Sequence, residues 1–135
     1  MSKTILIVDD KIEEKEKARK IYADAGLRVL TASSYEEANK LLELVDFIVT
    51  DLTFPMHSDS TTSDSEVGDF GLAILLRAKQ LKIPCFICTN SSHHGKDCKR
   101  GLIETMIKIT ESPQFYTYKK NWSCFLEDIN ILCKE

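Results

Sequence analysis

The sequence predicts an α/β domain: a doubly wound, five-stranded parallel sheet flanked by five helices in three layers. Three observations point there. Strand-like and helix-like segments alternate five times along the chain, the pattern of a parallel sheet covered on both faces. The strand-like runs are short and almost continuously apolar, as strands buried on both sides are. Several of them end abruptly in charged or hydroxyl residues, and in such sheets ligands bind beyond the carboxyl ends of the strands.

The elements follow in order. "ILIVDD" is an apolar run closed by Asp9 and Asp10. "KIEEKEKARKIYADAG" carries Ala18, Ile21, Tyr22 and Ala25 at helical spacing, with Gly26 as its stop. "LRVLTAS" alternates like a strand. "SYEEANKLLEL" opens with Ser34 and has Glu37 three places on, a capping-box pattern that starts a helix; Ala38, Leu41 and Leu42 form its apolar stripe. "VDFIVTD" is a third strand ending in Asp51. "DFGLAILLRAKQL" is a helix with an apolar face, and "IPCFICTN" a fourth strand leading to Thr89. "KRGLIETMIKI" reads as a helix weakened by Gly101. "QFYTYKK" is an aromatic, β-prone fifth strand ending in Lys119 and Lys120. "WSCFLEDINILCK" is a last helix, with Trp122, Phe125, Leu126, Ile129 and Leu132 on its apolar face.

Length and composition set bounds. The 135 residues make one ordinary domain, large enough to bury roughly 68% of its unfolded surface. The chain is 43% apolar and 29% charged with a net charge of −3. That gives no general attraction to nucleic acid or to anionic membrane. No apolar run approaches the ~18 residues of a membrane span, and the N-terminus lacks a signal peptide's apolar core. A cytoplasmic protein is expected.

Five cysteines at 85, 88, 98, 124 and 133 do not suggest a disulfide framework. Cys85 and Cys88 spell C-x-x-C, but within a strand. Positions three apart on a strand point to opposite faces, so both are expected to be buried and inert. His93 and His94 lack a second cluster of matching metal-ligand spacing. Two polar segments interrupt the compact rhythm: "MHSDSTTSDSEVGD", residues 56–69, and "NSSHHGKDC", residues 90–98. Both read as loops.

The predicted fold gathers Asp9, Asp10, Asp51, Thr89 and the Lys119/Lys120 pair at one edge of the sheet. Three carboxylates in one cleft repel one another, and a divalent cation resolves that conflict. Mg²⁺ suits carboxylate oxygens and keeps several waters, so two or three protein ligands suffice. A lysine ammonium and a threonine hydroxyl complete a set suited to a carboxylate that accepts a phosphoryl group.

On these residues the chain resembles a response-regulator receiver domain, the phosphoacceptor module of two-component signalling, over nearly its whole length. "ILIVDD" is similar to that family's first strand with its acidic pair. "DFIVTDLTFP" is similar to its third strand, with Asp51 at the phosphorylated position and Pro55 four residues on. Thr89 matches the switch hydroxyl and "YTYKK" the fifth strand with its lysine. The resemblance implies a flavodoxin-like, receiver-type fold; since the chain ends right after the last helix, a stand-alone receiver with no output domain is expected. It implies Asp51 as nucleophile, and Mg²⁺ held by Asp9, Asp10, Asp51 and the backbone carbonyl of Thr53. It also implies Thr89 turning toward the phosphoryl group. The pocket lysine is Lys119 or Lys120: Tyr116 three residues earlier favours Lys119, whereas "KNW" from Lys120 resembles the family's Lys-Pro-Phe with Asn121 for proline. The implied partners are a sensor histidine kinase or phosphotransfer protein and a downstream protein target, without nucleic acid or membrane insertion.

Departures from the family pattern lie at the insertion of residues 56–69, in the extended 90–113 segment, and at Asn90, where the family has a small residue. They motivate a second reading, a degenerate receiver that binds a protein partner without phosphorylation. A phosphatase with an aspartyl intermediate is disfavoured: it needs an aspartate two residues after the nucleophile, where Thr53 stands.

Overall fold

Residues 2–57, 67–88, 115–116 and 121–134 are described by the structure, a computed structural model. Strand β1 (Thr4–Val8) is followed by helix α1 (Ile12–Asp24), β2 (Arg28–Ala32), α2 (Tyr35–Leu41), a 3₁₀ turn (Leu42–Leu44) and β3 (Phe47–Thr50). Next come two short strands, β4 (Phe54–Pro55) and β5 (Val67–Gly68), then α3 (Phe70–Leu81) and β6 (Cys85–Cys88). The C-terminal part comprises β7 (Phe115–Tyr116), a 3₁₀ turn (Trp122–Phe125) and α4 (Leu126–Cys133). The main sheet has five strands in the order β2-β1-β3-β6-β7, all parallel. The chain winds outward from β1 to β2, then returns past β1 to β3, so strand order reverses between β1 and β3. The predicted helix in residues 99–109 and the 90–98 loop lie outside the described residues.

Strand periodicity divides the core into two. Leu6, Val8, Ile48, Cys85 and Ile87 point to the face covered by α2 and α3, where Ala38, Leu42, Leu72, Ile74, Leu75 and Ala78 meet them. Ile5, Ile7, Phe47, Val49, Phe86 and Cys88 point the other way, onto Ala18 and Tyr22 of α1 and onto Trp122, Phe125 and Ile129. Each large apolar side chain so buried contributes about 1.5–3 kcal/mol. Cys85 and Cys88 accordingly sit in different cores, both as buried thiols, as the strand setting requires.

Helix ends follow local chemistry. The Ser34 hydroxyl accepts the Glu37 N–H at 3.1 Å, and the Glu37 carboxylate accepts the Ser33 N–H at 2.7 Å; the return bond of the capping box thus falls one residue earlier than expected. Gly26 adopts φ +90 beyond α1, a left-handed conformation that costs glycine little.

Four expectations need correction. The second helix does not run to residue 44 as one α-helix, since Leu42–Leu44 is a 3₁₀ turn. The last helix likewise begins as 3₁₀ over Trp122–Phe125. Three residues per turn put Trp122 and Phe125 on one side, and both are fully buried; Leu126 and Leu132 are only partly buried. Ala25 is exposed as the C-cap of α1 rather than part of its apolar stripe. Finally, the insertion does not extend to residue 69 as loop. Val67 and Gly68 pair antiparallel with Pro55 and Phe54, and the fully buried Phe54 anchors this ladder in the core. Residues 58–66 between these strands lie outside the described residues.

Candidate functional site

The reversal of strand order between β1 and β3 leaves a crevice beyond their carboxyl ends. Asp9 follows β1, and its N–H donates to the Ala32 carbonyl at 3.0 Å. Asp51 follows β3, and its N–H donates to the Val8 carbonyl at 2.7 Å. Both strands therefore continue their ladders one residue further and end side by side. Asp9 is fully buried, Asp51 is 6% exposed, and Asp10 is exposed. One carboxylate oxygen from each of the three lies within 4.8 Å of the others.

The backbone around these carboxylates is pinned. Asp9 Oδ1 accepts the Lys11 N–H at 2.8 Å, which shapes the entry into α1, whose N-cap Lys11 makes no side-chain cap bond. Asp51 Oδ1 accepts the Leu52 N–H at 2.8 Å. Thr53, two residues after Asp51, is half-buried, and its hydroxyl donates to Asp69 Oδ1 at 3.1 Å. That bond and the β4–β5 ladder close the neck of the insertion beside the site.

The donor set is all hard oxygen with three negative charges in a confined space. It fits Mg²⁺ or a similar hard divalent cation and suits a soft metal poorly. Of the residues expected here, Asp9, Asp10 and Asp51 are brought together. Thr89 and both lysines, Lys119 and Lys120, lie outside the described residues, as do Asn90, His93, His94 and Cys98. Strand β6, which leads to Thr89, pairs beside β3 with Thr50 opposite Ile87.

Sequence reasoning assigned nothing to the end of the second strand. Ser33 stands there, and its hydroxyl accepts a hydrogen bond from the Lys15 ammonium, which carries a cation from α1 toward this edge. It also missed Gly71, whose N–H donates to the Leu52 carbonyl at 2.9 Å. The only sequence signal for Gly71 was a glycine inside a helical pattern, a position that usually has a packing reason.

No family model matches the sequence, and no curated protein matches it. The fold, however, has many solved counterparts. A receiver domain from Methanospirillum hungatei aligns with TM-score 0.70 at 18% identity, covering 99% of this chain and 95% of that one. A Francisella response-regulator receiver domain aligns with TM-score 0.67 at 20% identity over 98% of both chains. The chemotaxis response regulator CheY4 of Vibrio cholerae aligns with TM-score 0.64 at 18% identity, over 98% of this chain and 99% of that one. The parallel order β2-β1-β3-β6-β7, the two helical layers and these alignments lead to one conclusion: the chain has the CheY-like fold of response-regulator receiver domains.

Proposed function

We propose that this protein is a response-regulator receiver that accepts a phosphoryl group on Asp51 and passes the signal on through a protein interface. The observation that carries the reading is the meeting of the Asp9, Asp10 and Asp51 carboxylates at the point where strand order reverses. A structural ion-pair role would not explain three like charges within 4.8 Å, two of them on nearly inaccessible residues.

In this reading a carboxylate oxygen of Asp51 attacks phosphorus and a new O–P bond forms. The P–N bond of a phosphohistidine, or the P–O bond of an acyl phosphate, breaks and its electron pair leaves with the donor. The product is an aspartyl phosphate. Asp9, Asp10, Asp51 and the Thr53 carbonyl would hold Mg²⁺, whose charge offsets that of the phosphoryl oxygens against the carboxylates. Asp51 Oδ1 stays on the Leu52 N–H, which fixes the approach of the carboxylate. Thr89 and Lys119 (or Lys120) supply the hydroxyl and ammonium that meet the transferred group. The phosphate then biases the domain between two packings, and a downstream protein distinguishes them. The donor is a sensor histidine kinase or phosphotransfer protein in the cytoplasm. The chain is a signalling acceptor whose only chemistry is on itself.

The test is phosphotransfer from acetyl phosphate and from a panel of histidine kinases, read by intact mass. Wild type should gain one acid-labile phosphoryl group in Mg²⁺ and none in EDTA, and Asp51→Asn none in either. A gain unchanged in Asp51→Asn would refute the assignment. No gain in wild type, together with partner capture by Asp51→Ala, would establish the phosphorylation-independent binding module instead.

A further inference from the structure

The Asp51 carboxylate is oriented through its own backbone. Its Oδ1 accepts the Leu52 N–H, so the Asp51–Leu52 peptide sets where the carboxylate points. The carbonyl oxygen of that same peptide accepts the Thr50 hydroxyl at 2.8 Å, and Thr50 is fully buried. Against it lies Gly71, buried in the first turn of α3. A Cβ at Gly71 would stand 2.4 Å from the Asp51 carbonyl oxygen and 2.7 Å from the Leu52 Cα. Both neighbours are backbone atoms, so no side chain can swing away to make room. The need for glycine here is one of space, since among the described residues the positive-φ glycine is Gly26. The Gly71 N–H then donates to the Leu52 carbonyl, holding the next peptide as well.

We propose that Gly71 and Thr50 are positioning residues for the Asp51 carboxylate. They grip the Asp51–Leu52 peptide so that its N–H holds one carboxylate oxygen and aims the other at the incoming phosphorus. Neither touches the phosphoryl donor. The inference rests on the phosphoacceptor reading for its functional consequence, but the grip itself has its own readout.

That readout is the Leu52 amide in ¹⁵N-labelled protein, followed together with acetyl phosphate kinetics in Mg²⁺ for Gly71→Ala, Thr50→Val and Thr50→Ser. In wild type the Leu52 amide proton should lie downfield, as expected of an N–H held by a carboxylate oxygen. Gly71→Ala and Thr50→Val should move it upfield, and Thr50→Ser should leave it near its wild-type position. A Cβ at Gly71, 2.4 Å from the Asp51 carbonyl oxygen, forces a shift of at least about 0.6 Å to reach even 3.0 Å, where a misplacement of about 1 Å can cost about 10²-fold. The maximal phosphorylation rate should therefore fall about tenfold in Gly71→Ala and about threefold in Thr50→Val, with the donor KM unchanged and Thr50→Ser close to wild type. Folded variants that keep both the wild-type rate and the wild-type Leu52 shift would overturn the inference. Should Gly71→Ala not fold, the Thr50→Val and Thr50→Ser pair decides alone. A wild type that takes no phosphoryl group would overturn the phosphoacceptor reading, and the Leu52 signature would still decide the grip.

Discussion

Asp9 holds a turn and, in the proposed reading, a metal ion, and mutation can separate the two. It is fully buried, its Oδ1 accepts the Lys11 N–H at 2.8 Å, and its carboxylate faces those of Asp10 and Asp51 within 4.8 Å. Asp9→Asn keeps an oxygen acceptor for the Lys11 N–H and removes the charge. Asp9→Ala removes both and orphans the N–H. An unsatisfied donor costs about 1–3 kcal/mol, so in EDTA the alanine variant should be less stable than the asparagine variant by roughly 1–2 kcal/mol. That is a difference of about 3–8 °C in Tm for a domain of this size. Magnesium tests the proposed role. At 100 times Kd, a ligand that binds only the folded state stabilises it by about 2.7 kcal/mol. Losing one of three carboxylates should weaken the site at least ~10-fold, worth about 1.4 kcal/mol. At the same Mg²⁺ concentration both variants should therefore keep about half of the wild-type increment or less. The assay is thermal unfolding by circular dichroism of the three proteins in EDTA and in excess Mg²⁺. Equal stability of the two variants in EDTA would refute the turn argument. A full Mg²⁺ increment in Asp9→Asn would refute the placement of the metal site.

Two further predictions concern the core. The buried Tyr22 hydroxyl donates to the Trp122 carbonyl and ties α1 to the C-terminal 3₁₀ turn; Tyr22→Phe should cost about 1–3 kcal/mol in urea unfolding. Burial, with the neighbouring Cys88 and Cys124 thiols adding to it, pushes the Tyr22 phenol above its ordinary 10.0. The folded state then holds a proton that the unfolded state loses. This contribution is fully present below pH 10 and fades as pH rises beyond it, so the phenylalanine variant should lose stability less steeply above pH 10. A parallel pH profile would count against the buried phenol. Burial likewise pushes the Cys85 thiol up, and Cys85 and Cys88 lie on opposite faces of the sheet. Alkylation followed by mass spectrometry should label Cys124 and Cys133 in the native protein well before either of them, and a Cys85–Cys88 disulfide in folded protein would contradict the strand placement.

Much of this site could be read in order along the chain. "ILIVDD" and "DFIVTD" announce two buried strands because their apolar runs are short, β-rich and cut off by charge, and a charge can follow a buried strand only where hydrogen bonds, a counter-charge or water meet it. The Ser34–Glu37 pair announces its helix start because capping is local chemistry. Less legible was how helical segments begin and end. Trp122 starts a 3₁₀ turn rather than an α-helix, since burying both it and Phe125 favours a three-residue repeat that the apolar pattern alone does not distinguish from 3.6.

The sequence by itself determined the parallel α/β frame, the order of its elements and the carboxylates that end its strands, since all three follow from local periodicity and chain alternation. Only the tertiary structure decided which residues hold the site in shape. Gly71 stands twenty positions after Asp51, across an inserted segment, yet packs directly against its carbonyl oxygen. Asp69 reaches back to Thr53, and Ser33 takes the Lys15 ammonium. Such contacts depend on where the β4–β5 ladder and the first turns of α1 and α3 come to rest against the sheet edge. Long-range packing sets those positions, and no spacing in the chain encodes them.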